Sequence, residues 1–245
     1  RYWHHYSRID GKILPGILDD YAVDSSGRRH SYRIREGLRW SDGQPVTTED
    51  VRYALEDVLL LPELQKYLTN SRNAKIMLPE WEWIYWGDRP VRLHITDERR
   101  FTLEFSIPCY GFTKMQVRSA RWQMLIKPAH YLKQFHYRYQ EKEKLAEKMR
   151  SDGFNGKPWD VYYHAVDPPV REAGYFMPER ILRIWEYPSL DPWIYESIST
   201  PERSVLSGNP YYYEKDQEGV RLPYIEKIVR QRYRSEEELT DALLR

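Results

Sequence analysis

A single cysteine, Cys109, in 245 residues rules out an internal disulfide and any cysteine-built zinc site. One thiol does not decide the redox compartment. Charge of one sign is missing as well. Thirty-eight Lys and Arg against 37 Asp and Glu leave a formal charge of +1, without the basic excess of a nucleic-acid footprint. No run approaches the roughly 18 apolar residues that cross a bilayer. Phosphate-binding glycine loops, a GxSxG elbow and an HExxH pair are all absent. Neither a signal peptide nor a lipidation motif is visible, and Arg1 stands where an initiator Met would, so a processed or excised piece of a longer chain is expected.

Metal and acid–base chemistry find little footing. His4 and His5 are neighbours and would face opposite sides of a strand. His130 and His136 lie six apart, about 600° around a helix and well off a common face. Of the paired carboxylates, Glu49–Asp50 and Glu236–Glu238 belong to helix starts, where the dipole favours them, and Asp19–Asp20 reads as solvated. No catalytic residue, metal site or cofactor is therefore expected, and the chain does not read as an enzyme. An enzyme reading, such as a carbohydrate hydrolase, would need two convergent carboxylates in a deep pocket.

What the chain has in quantity is aromatic: 21 Tyr and 9 Trp. Such rings fill cores, and they also line clefts that must be apolar and hydrogen-bonding at once. Length allows one large domain or two small ones. In "YRIRE", Tyr32 and Ile34 alternate with Arg33 and Arg35, the pattern of a half-buried strand. "SDG" (41–43) is a turn, and Thr47 with Asp50 forms a capping box. Val51, Ala54, Leu55, Val58 and Leu59 then mark one apolar helix face. Residues 62–90 read as irregular, with a short helix near Leu64–Leu68, and "VRLHITDERRFTLEFSIP" as a hairpin. Pro128 opens a helix, "EKEKLAEKMRSDGF" is a second, and Asn155–Pro178 is expected to be loop. "RILRIWEY", "IYESIS" and "PYIEKIVRQRY" read as strands, and "SEEELTDALL" as a helix with Ser235 and Glu238 in a capping box. Intermixed strands and helices give a mixed α/β (α+β) class.

Five stretches together resemble one family, the extracytoplasmic solute-binding proteins of ABC importers, family 5. These are "YRIREGLRWSDGQPVTTEDVRYALE", the upstream "IDGKILPGILDDYAVDSSGRRHSY", "TDERRFTLEFSIPCYGF", "LIKPAHYLKQFHYRY" and "NPYYYEKDQEGVRLPYIEKIVRQRY". They run in the family's order from about Tyr2 to Tyr233, with weak likeness over 62–90 and 140–201. The usual "TGPY" ahead of the last element is replaced by "PSLDPWIYESIS".

The resemblance implies a periplasmic-binding-protein-like fold of the large two-lobed type, with residues 1–245 forming part of the first, N-terminal lobe. The second lobe and return segment would lie outside this stretch. It further implies a monomeric, non-enzymatic receptor, extracytoplasmic and lipid-anchored when full length. Such a receptor closes on oligopeptides by a hinge and hands them to a membrane permease. An oligosaccharide ligand, stacked on Trp and Tyr faces, or a ligand-sensing domain without a transporter are the alternatives. By position in the resemblance, the cleft-wall candidates are Tyr110, Phe112, Arg118 and Trp122 after the hairpin, Tyr67 beyond the first helix, and Trp86 as a stacking platform beside Trp83.

Overall fold

The computed structural model describes residues 4–6, 13–70, 73–77, 82–114, 125–167, 182–200, 203–233 and 235–244. β1 (His4–Tyr6) pairs antiparallel with β2 (Ile13–Pro15). β3 (Leu18–Val23) and β4 (Arg29–Ile34) follow as an antiparallel hairpin. Its turn is held by the Asp24 carboxylate, which accepts from the Arg28 and Arg29 amides at 3.0 and 3.1 Å. Gly27 takes φ +67 there, and a Cβ at that position would lie 2.6 Å from the Tyr110 ring. On β4, His30, Tyr32 and Ile34 point inward, as alternation demands.

Thr47 and Asp50 form the expected capping box, starting α1 (Thr48–Arg52). The next seven residues, Tyr53–Leu59, wind as a π-helix rather than continuing the α-helix. Leu60 N–H accordingly reaches back five residues to Leu55 O at 2.8 Å. The change of pitch keeps both Tyr53 and Leu59 fully buried, on two different cores. α2 (Pro62–Gln65), begun by Pro62 at its first turn, passes into a 3-10 turn, Lys66–Leu68. β5 (Thr69–Asn70) and β6 (Asn73–Met77) pair next.

β7 (Arg92–Ile95) and β8 (Arg100–Glu104) are the expected hairpin. They complete a four-stranded antiparallel sheet in the order β3-β4-β8-β7. Tyr32 faces Phe101 across β4 and β8, ring centroids 5.4 Å apart. The hairpin turn also docks on the start of α1, since Thr48 Oγ1 donates to Asp97 O at 2.8 Å and Thr48 N to Glu98 O at 2.9 Å.

Further along come α3 (Ala129–Leu132), α4 (Lys142–Ser151) and α5 (Trp159–Val166). β9 (Trp193–Thr200), β10 (Arg203–Gly208) and β11 (Lys227–Gln231) form a three-stranded sheet in the order β11-β10-β9. α6 (Glu236–Leu243) closes the series, with Ser235 Oγ accepting from Glu238 N at 3.1 Å.

Two hydrophobic cores result. One gathers the four-stranded sheet with Trp40, Val51, Leu55, Trp83 and Phe112. The other gathers Tyr53, Val58, Leu64 and the inner faces of α3 to α5. Each fully buried Leu, Phe or Val contributes roughly 1.5–3 kcal/mol relative to exposure.

Three expectations are corrected. Residues 155–178 are not all loop, because α5 occupies Trp159–Val166. Trp159, Tyr162, Tyr163 and Val166 fall at i, i+3, i+4 and i+7, and Tyr162, Tyr163 and Val166 are fully buried. The stretch "LRIWEY" (182–187) is a run of turns rather than a strand. Arg183 adopts φ 57 there, with its guanidinium on Asp152 (2.7 Å) and Glu186 (2.9 Å). Asp19 is not simply solvated, since it accepts from Arg33 Nε at 2.6 Å.

Candidate functional site

The recognisable motifs meet in space. Asp50, third residue of α1, sends one carboxylate oxygen to the Thr47 amide (3.0 Å) and the Trp40 indole N–H (3.1 Å). The other accepts from the Ala129 amide at 2.9 Å. Burial pushes this carboxyl up to about 6, and the three donors pull it back only in part. The SDG turn is clasped to the far end of the chain. Ser41 N donates to Ser189 O (3.0 Å), and Ser189 N donates to Ser41 Oγ (2.9 Å). Asn209 extends the clasp, its amide donating to Ser189 O and Asp191 O while its oxygen accepts from Tyr211 N at 2.9 Å. Asp42 meets His130 Nε2 at 2.7 Å. "SDG", "TTEDV", "KPAH" and "NPYYY" are thus one hydrogen-bonded frame.

A groove of about 930 Å³ opens beside that frame, between the "REGLR" stretch and the three tyrosines 211–213. Arg35 lies 5.4 Å from the Tyr213 ring centroid and donates from Nε to Gly16 O at 2.9 Å. Tyr211 packs over Gly43, whose φ of +86 favours glycine; a Cβ there would stand 3.0 Å from that ring. Burial raises the Tyr213 hydroxyl well above its ordinary range. No sequence signal pointed to this groove, because its two walls lie about 175 residues apart.

The sequence-predicted wall residues are dispersed. Tyr67 belongs with the second core. Its hydroxyl donates to Asp160 at 2.8 Å, its ring stacks on His164 (4.0 Å, 5°), and Lys66 completes the group by an ion pair with Asp160. Tyr110 is 64% exposed, lies over Gly27 and donates to Ser25 O at 2.9 Å. Phe112 is 1% exposed and sits 4.7 Å from Phe105 and 5.4 Å from both Trp83 and His30. Trp86 is half-buried against the same group, 6.2 Å from both Phe105 and Phe112. Arg118 and Trp122 lie outside the described residues. Among the described residues, no group of three or more His, Cys, Asp or Glu is arranged to hold a metal.

Comparison with known proteins decides the family. The profile of the bacterial extracellular solute-binding proteins, family 5 Middle, matches residues 12–245. The chain belongs to this family. Family 5 members are binding components of transporters. A probable ABC transporter-binding protein of Deinococcus radiodurans is 23% identical over 226 residues, which is 91% of this chain and 30% of that protein. A periplasmic alpha-galactoside-binding protein of Rhizobium meliloti is 23% identical over 89% of this chain and 25% of its own length. Among solved structures, an oligopeptide-binding protein OppA superposes with a TM-score of 0.71 at 26% identity, covering 96% of this chain and 32% of that one. The periplasmic binding protein MelB of Agrobacterium fabrum, in complex with stachyose, gives 0.62 at 19%, covering 91% and 27%.

This family 5 chain therefore spans about a quarter to a third of the relatives it matches. It has the mixed α/β fold of periplasmic binding proteins. Among the described residues no helix is long and apolar enough to cross a membrane.

Proposed function

We propose that the chain is part of the N-terminal lobe of an extracytoplasmic receptor that binds oligopeptides between two lobes and delivers them to an ABC permease. The observation that carries this reading is the family 5 match across 12–245, joined to the likeness to an oligopeptide-binding protein. In this reading the receptor acts as a lipid-anchored monomer without cofactor or catalysis, and the remainder of the protein supplies the opposing lobe. Tyr67 and Tyr110, with Arg118 and Trp122, form this lobe's share of the cleft wall. Trp86 and Phe112, 6.2 Å apart, contribute to it through their packing. The Tyr67 ring is held flat against His164 and tied to Asp160, so it meets a ligand already ordered. Peptide backbone would be paired by polar groups while roomy pockets accept varied side chains.

An oligosaccharide ligand is the second reading, supported by the alpha-galactoside-binding relative and the stachyose complex. A thermal-shift screen of the full-length receptor separates the two. Peptides at 100 times Kd are expected to stabilise it by about 2.7 kcal/mol by mass action, with oligosaccharides inert. Stabilisation by oligosaccharides alone moves the conclusion to the second reading, and a response to neither class overturns both. Tyr67→Ala and Tyr110→Ala are expected to weaken the ligand that binds by about tenfold or more.

A further inference from the structure

A second groove, of about 540 Å³, lies along α4 on the edge of the second core. Its floor is apolar: Leu145 and Met149 from α4, Phe154 from the loop that follows, and Trp159 from the start of α5. The indole of Trp159 is fixed by an N–H donated to Phe135 O at 2.9 Å and by edge contacts with Tyr137 (4.6 Å) and His136 (4.8 Å). The loop is fixed too, through Phe154 N to Met149 O (2.7 Å) and Lys157 N to Phe154 O (3.0 Å). The groove therefore exists before any ligand arrives.

Its rim carries one sign of charge. Lys142 and Arg150 on α4 and Lys157 on the loop all line it, and no Asp or Glu does. The helix sorts its charges to achieve this. Lys142, Leu145, Ala146, Met149 and Arg150 stand at i, i+3, i+4, i+7 and i+8 and face the groove, whereas Glu143 and Glu147 do not line it. Lys144, off this face, is paired with Glu141 at 3.0 Å. None of the three rim cations has an ion-pair partner among the described residues.

We infer that this groove binds an amphiphilic organic anion, an apolar chain or ring system ending in a carboxylate, sulfonate or sulfate. An apolar floor of this volume accepts the body, at roughly 25 cal/mol for each Å² of apolar surface removed from water. The three rim cations receive the head group, and a lining without carboxylates among the described residues gives a cationic amphiphile no partner there. None of the groove's lining residues is a cleft-wall candidate, and the inference stands whether or not peptide is the transported solute.

Calorimetric titration of the full-length protein with decanoate, below its micelle concentration, tests the assignment. Saturable 1:1 binding is expected, weakened by added salt. Lys142→Gln combined with Lys157→Gln should lower affinity about tenfold while leaving the thermal midpoint unchanged, since both side chains are exposed. Arg150→Gln alone should act in the same direction and serves if the double variant folds poorly. Decyltrimethylammonium, with the same chain and the opposite charge, should bind at least about tenfold more weakly. Decanoate binding that ignores all three substitutions overturns the inference, as does equal uptake of the cation or no saturable binding. Recruitment to phosphatidylglycerol vesicles without binding of free decanoate overturns it in favour of a membrane contact.

Discussion

Replacing Lys127 by Met should be among the costliest single changes in this chain, and replacing its partner as well should restore most of the loss. Lys127 Nζ lies 2.8 and 2.7 Å from the two Asp167 oxygens, and the side chains are 3% and 4% exposed. At that separation the attraction is about 6 kcal/mol for an effective dielectric of ~20. Desolvation costs several kcal/mol per ion, so the pair is close to neutral against apolar groups of the same volume. Removing one member instead leaves a stranded charge. Lys127→Met is expected to cost about 3–5 kcal/mol, and Asp167→Leu a similar amount. The second change also deprives the Tyr187 hydroxyl of its acceptor at 2.9 Å. The double variant should lie within about 2 kcal/mol of the parent, a coupling of about 4 kcal/mol or more in the cycle. Urea unfolding followed by tryptophan fluorescence measures all four states. Single losses under about 1 kcal/mol, or losses that simply add, would refute the reasoning.

His136 should titrate far below an ordinary histidine. Its ring is fully buried, Nε2–H donates to Asp57 O at 3.0 Å, and Nδ1 accepts from Arg138 N at 3.2 Å, so a second proton would face another donor. Burial brings its pKa down to about 4. Since the unfolded chain titrates near 6.5, the stabilisation is complete above about pH 6.5 and fades as pH falls towards 4, by about 3 kcal/mol in all. An NMR titration with a midpoint above 6 would contradict this. Asn209→Ala should cost about 1–3 kcal/mol by taking the acceptor from the Tyr211 amide and one donor each from Ser189 O and Asp191 O. Hydrogen exchange at Tyr211 reads the effect directly, and unchanged protection there would argue against the clasp.

Local grammar was legible wherever the signal and its cause lie within a few residues. The Thr47–Asp50 box, the hairpin with its 97–99 turn and the inward Tyr32 and Ile34 all appear as their patterns require. Long-range roles were not legible. Asp50 reads as a capping-box acid favoured by the dipole, and only the approach of Trp40 and Ala129 shows it as a buried junction. Phe112 reads as equally suited to cleft or core, and the rings around it come from other stretches of chain. α5 did carry a helical period, but the Pro158 that opens it and Gly156 before it read as loop punctuation. The candidate wall suffers the same limit, because Tyr67 gains its order from His164 and Asp160, nearly a hundred residues on.

The Asp50 carboxylate ends hydrogen bonds that begin on three separate stretches, and the two oily clusters meet at its helix. Partners that share one acceptor share one fate. Heating that frees the Ala129 amide also loosens Trp40 and the helix start, so a calorimeter should trace one endotherm for this region, not two. By the same logic, substitutions at Tyr67 or Tyr110, neither of which bonds to Asp50, should leave this keystone untouched.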